Sequence, residues 1–211
     1  MKISKFLPLA LALVLATPAS FAAASGSQTS EMTLNVGEFI NITMDETVKT
    51  SACTFPSDTY SQINLSTPFD VTFHVVNNKV DRPIYLTAKA GTGDFAALGG
   101  TAENPILAFA NTTCAVKPTE TQIKNAVSDS ASIAGNPNVI AFTLEPTISP
   151  SEAASAQPAA SLADNKLTYT LKNGRYDFRS LAGANAAANT FSTHDENGTY
   201  MTTLTLSTAG L

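Results

Sequence analysis

From residue 32 to residue 44 the chain reads Met32-Thr-Leu34-Asn-Val36-Gly-Glu38-Phe-Ile40-Asn-Ile42-Thr-Met44, and every even position except Glu38 is apolar. A period of two puts those side chains on one face of an extended strand and the polar residues on the other. At about 3.3 Å per residue the stretch would reach ~43 Å, more than twice an ordinary strand. A strand this long and this greasy on one face needs a sheet to receive it. It constrains the fold more than any other segment.

Further strand signals follow, with turn chemistry between them. Phe69, Val71, Phe73 and Val75 alternate with polar residues, and Asn77-Asn78 then turns the chain. Ile84, Leu86 and Ala88 alternate behind Pro83, which suits a strand start or an edge. A short apolar run, 106–109, precedes Cys114; another alternating strand, 140–144, is expected to close at Pro146. Residues 167–171 and 176–178 flank Lys172-Asn173-Gly174-Arg175, and Asn-Gly between alternating runs predicts a hairpin. Gly198, Tyr200, Leu204 and Leu206 mark a last strand. The helical signal is thin: a turn or two over 120–127, with the Ala- and Ser-rich stretch 151–163 read as a loop. Seven or more short strands with polar linkers predict an all-β, immunoglobulin-like β-sandwich. The tryptophan of antibody domains is missing, since the chain has none.

Residues 1–22 read as a secretory signal peptide. Lys2 and Lys5 precede an apolar run over 7–16, and Ser20-Phe-Ala22 places small residues for a cut after Ala22, with Ala24 as an alternative site. Removing this segment takes away two lysines and no acid, so the formal charge moves from −5 to −7. An acidic surface argues against nucleic acid and anionic membranes as partners, and no later run is long enough to insert into a bilayer. Cys53 and Cys114 are the only cysteines. Export would carry them to an oxidising space, so one intramolecular disulfide is the default expectation, stabilising by roughly 4 kcal/mol. A metal site is the rival, but His74 and His194 have no ligand spacing to either cysteine.

Catalytic chemistry is sparse. His74 falls on the polar face of a predicted strand, and His194-Asp195-Glu196 falls in a loop before the last strand. No nucleophile elbow, calcium loop or dinucleotide loop is present, so no catalytic residue, metal ligand or cofactor is assigned.

Together these features resemble the subunits of chaperone–usher pili, nearest in layout to major pilins of the common-pilus and CS1-like groups. The residues that carry the resemblance are the alternating stretch behind the signal, the run from Phe69-Asp-Val71 through Leu86, Gly198 as the fourteenth residue counted from the C-terminus, and the Gly-x-Tyr start of the last strand. Gly210, where many pilins carry a penultimate tyrosine, and the two cysteines depart from the pattern. The resemblance implies an incomplete sandwich completed by a donor strand from a neighbouring subunit. It implies an extension over 23–37 and a pilin domain over 38–211, with Met32, Leu34, Val36, Ile40 and Ile42 as donor-strand side chains. The implied function is a non-enzymatic structural subunit of a surface fibre supporting adhesion. Its partners would be like subunits, a periplasmic chaperone and an outer-membrane usher, on a route through the periplasm to the cell surface. The preferred detailed version splits the stretch at Gly37-Glu38 into a donor, 32–36, and the domain's own first strand, 39–44. The alternative is that 32–44 is an ordinary first strand of its own sheet. The alternative function is a secreted β-sandwich binding module or adhesin domain for a carbohydrate or protein.

Overall fold

The computed structural model describes residues 33–54, 63–93, 95–128, 136–150, 158, 160–184 and 194–208. Met1–Val36 and Gly37–Leu211 are separate units, and only 33–36 of the first are described. The expected signal peptide and Met32 lie outside the described residues.

Among the described residues, thirteen strands and one helix follow in chain order: β1 (Ile40–Met44), β2 (Cys53–Thr54), β3 (Asn64–Leu65), β4 (Phe69–Asn77), β5 (Arg82–Ala90), β6 (Phe95–Ala96), β7 (Leu98–Gly100), β8 (Pro105–Asn111), α1 (Glu120–Ser128), β9 (Val139–Pro150), β10 (Ala160–Ala163), β11 (Lys166–Leu171), β12 (Gly174–Ala182) and β13 (Tyr200–Ser207). Every pairing among them is antiparallel. The fold is all-β apart from α1.

Eleven strands form one network in the order β1-β4-β12-β9-β8-β13-β5-β11-β10, with β6 on β5 and β7 on β8; β2 and β3 pair separately. Although β11 and β12 are far apart in that order, Tyr169 of β11 meets Phe178 of β12 edge-on, ring centres 5.2 Å apart. The network therefore folds back over itself. Its buried face carries Phe73, Val75, Ile84, Leu86, Phe142, Leu144, Leu167, Leu171 and Phe178, set at alternate positions by the pleat. Phe109 lies between Phe69 and Phe142 at 5.1 Å from each.

The helix begins with a capping box. Gln122 Oε1 accepts from the Thr119 amide at 2.8 Å, and Thr119 Oγ1 accepts from the Gln122 amide at 3.4 Å. Its Ile123, Ala126 and Val127 are buried. Gly99 of β7 allows the close approach, because a side chain there would meet the Val127 carbonyl and Cβ.

Three sequence expectations are corrected. Asn173-Gly174 is not a hairpin turn: β11 pairs with β5 and β12 pairs with β4 and β9. Gly174, at φ 140°, turns a corner between strands that do not pair. The tight hairpin lies instead at Asp164-Asn165, φ 50° and 58°, between β10 and β11, the left-handed pair of a type I′ turn. That hairpin brings a strand, β10, into the end of the stretch read as a loop; most of 151–159 is outside the described residues. Finally, β9 does not close at Pro146 but runs to Pro150. Among the described residues its second half pairs only with β12, since the pairing with β8 ends where Ile106 meets Thr143. A missing N–H is tolerated where one edge of a strand is open.

Candidate functional site

The last strand is where the sheet is least finished. Residues 202–207 of β13 pair with β5 along one edge. On its other edge β13 meets β8 only through Tyr200 and Met201, and among the described residues no strand pairs with that edge over 202–206. A second gap lies on β4. β12 runs along one edge of it from Phe69 to Asn77, but β1 covers the other only over 73–77. Among the described residues, nothing pairs with that edge at 69–72.

The side chains at these places are core-facing but incompletely covered. Phe73 and Val75 of β4 are buried, whereas Phe69 and Val71, on the same face, are only half-buried. On β13, Leu206 is buried and Leu204 half-buried. An apolar inner row that loses its cover at an open strand edge is an exposed template for another strand.

A polar clip fixes the start of β13. Asn111, only 1% exposed, accepts at Oδ1 from the Thr113 amide at 2.9 Å, the Thr113 hydroxyl at 3.0 Å and the Cys114 amide at 3.1 Å. Its Nδ2 donates to the Glu196 carbonyl at 3.2 Å. Asn138, in a left-handed conformation at φ 65°, donates its amide to Asp195 Oδ1 at 2.5 Å and accepts at Oδ1 from the Glu196 amide at 2.8 Å. The Tyr200 hydroxyl donates to the Glu196 carbonyl at 2.8 Å. Burial, with the Asp195 charge behind it, pushes this phenol up to about 12, so it stays a neutral donor. Gly198 passes so close that a Cβ would meet Thr113 Oγ1 and lie 2.5 Å from Asn111 Oδ1. Sequence reasoning singled out Gly198 and Tyr200 and placed Glu196 in the loop before the last strand, but did not see that Asn111, Asn138 and Glu196 together hold it. The only signal was the Asn-rich punctuation around the strands.

The donor-strand residues separate. Leu34 and Val36 are 87% and 76% exposed and lie outside any strand. Ile40 and Ile42, grouped with them from the sequence, belong to β1, paired with Asn77 and Val75 and packed against this molecule's own core. The bridge expected between Cys53 and Cys114 is not formed: both are free thiols, Cys53 exposed on β2 and Cys114 buried. The Cys114 sulfur lies 3.3 and 3.2 Å from the Asn111 and Val116 carbonyl oxygens, which share its single proton. It is satisfied within the clip and is not turned toward a partner sulfur.

Among the described residues no group of three His, Cys, Asp or Glu side chains lies close enough to hold a metal ion, and no helix is long and apolar enough to cross a membrane. No protein-family model, curated protein or solved structure matches the chain.

Proposed function

We propose that this protein is a structural subunit of a surface fibre, an immunoglobulin-like sandwich lacking one strand that is supplied by the next subunit. The observation that carries this reading is the open edge of β13 over 202–206, lined by half-buried Leu204. The chain also carries a segment with the side-chain period to be offered as a strand. Leu34 and Val36 repeat at a spacing of two on an exposed segment. Inserted in a neighbour's groove, each would stabilise by ~1.5–3 kcal/mol through burial, and the backbone pairing would add to this. Such a subunit needs a partner for its edge before assembly, which is the part a periplasmic chaperone plays, with an outer-membrane usher at the exit. No catalytic role enters this reading.

The test uses the pleat. Leu34→Asp places an unpaired charge in an apolar slot at a cost of several kcal/mol, whereas Thr33→Asp points to the opposite face. Polymer yield of the full chain is expected to collapse with the first and persist with the second. Equal yields, or loss of folding of the single subunit with Leu34→Asp, would overturn the donor assignment.

A further inference from the structure

β1 ends the ladder and is held to β4 by five register pairs. Side chains tie it at both ends. At the N-terminal end the Asn78 side chain donates to the Gly37 carbonyl at 2.8 Å and accepts the Phe39 amide at 2.6 Å. Glu38 pairs there with Lys79 at 2.6 Å and Arg82 at 3.2 Å. At the other end Asp45, just past β1, lies 3.0 Å from His74 Nε2. The Nδ1 of the same ring lies 2.8 Å from Asp177 on β12. His74 thus joins three neighbouring stretches across the edge of the sheet.

The geometry sets the charge on His74. An ionised carboxylate only accepts hydrogen bonds, so a ring with a carboxylate on each nitrogen must donate from both, as the imidazolium. Thr43 of β1 stands opposite His74. On β12, Arg175 and Arg179 flank Asp177 at alternate positions. On β4 itself Asp70 is taken up by Arg179 at 2.7 Å. Beyond Asp45, Glu46 and Lys49 pair with each other at 2.6 Å.

We propose that β1 is a proton-governed latch, closed at both ends only while Glu38 is ionised and His74 carries two ring protons. Its Asp45 end loosens once the imidazole becomes neutral. The titration directions agree. Hydrogen bonding from Lys79, with the Lys79 and Arg82 charges, holds Glu38 below its ordinary 4.5. Its contribution is complete above 4.5 and is lost as pH falls through the lower folded value. Hydrogen bonds to Asp177 and Asp45 hold His74 above its ordinary 6.5. Its contribution is complete below 6.5 and is lost as pH rises through the higher folded value. Both ends are therefore fully engaged between about pH 4.5 and 6.5. Opening the latch uncovers Ile40, Ile42 and the edge of β4 over 73–77. This goes beyond the fibre reading and does not need it.

The experiment is residue-resolved hydrogen exchange of the full chain from pH 4 to pH 9, with NMR titration of His74. Protection of the β1 amides is taken relative to β12, after correction for intrinsic exchange. The ratio is expected to peak in the window above and fall several-fold on either side. His74→Gln should abolish the alkaline fall and Glu38→Gln the acid one. Asp45→Asn, at a largely exposed side chain, should weaken the alkaline limb even if His74→Gln does not fold. A ratio independent of pH, an alkaline limb that survives both His74→Gln and Asp45→Asn, or a His74 that titrates at or below 6.5 overturns the latch.

Discussion

Two cysteines show how a single residue's surroundings decide its chemistry. A chain read from its sequence as exported, with two thiols, leads one to expect a bridge. A bridge also needs Cβ atoms about 4 Å apart on converging vectors, and residue counts carry no information about that. Here Cys114 is buried with its thiol on two carbonyls, while Cys53 sits exposed on a two-residue strand. The expected outcome is one thiol per native molecule labelled rapidly by a soluble disulfide reagent, with the second reacting only after unfolding. If neither labels in denaturant without reductant, the bridge exists in the isolated protein. Asn111 makes the same point. Nothing in its local sequence marks it as interior, yet the side chain is buried and both of its polar atoms are engaged.

Single elements depend on where their ends are held. β13 begins where Gly198 slips between Thr113 and Asn111, so the entry to the strand tolerates no side chain. Gly198→Ala must displace the two groups that build the clip, and overpacking of this kind costs ~1–3 kcal/mol. Asn197→Ala, one residue earlier and exposed, should stay within ~0.5 kcal/mol of the parent. Denaturant midpoints of the two variants separate these expectations, and equal shifts would mean that the clip is slack. Strand existence was readable because alternation over 69–75, 84–88, 140–144, 167–171 and 176–178 is a local pattern, and each of these segments is a strand. Strand partners were not. Asn173-Gly174 has the composition of a hairpin turn, but β11 and β12 meet side chain to side chain across the interior, as Tyr169 and Phe178, and do not share backbone bonds.

For the whole molecule the informative division lies at Val36 and Gly37. Gly37–Leu211 is one unit, and the Asn78 hydrogen bonds to Gly37 and Phe39 close its N-terminal edge. A chain beginning at Gly37 is therefore expected to unfold in one cooperative transition at a denaturant midpoint close to that of the longer chain. On the fibre reading it should accept a strand but donate none, ending growth when mixed with full-length subunits. Sedimentation of the mixture measures this. Long polymers built from the shortened chain alone would place the donor elsewhere, and a large drop in midpoint would show that the first 36 residues are part of the folded unit.

The amino-acid sequence alone determined that this is a β protein, where most of its strands run, and that residues 32–44 carry an apolar face in need of a sheet. These are properties of side-chain period and turn chemistry, which act over a few residues. Only the tertiary structure decided that the stretch divides, with Ile40 and Ile42 packed at home and Leu34 and Val36 left outside. It alone set the open edges at 69–72 and 202–206 and brought His74 to Asp177, 103 residues away. Edges, registers and ion pairs of that span depend on which strands lie side by side. Alternation is the same whichever neighbour a strand takes, so it names no partner.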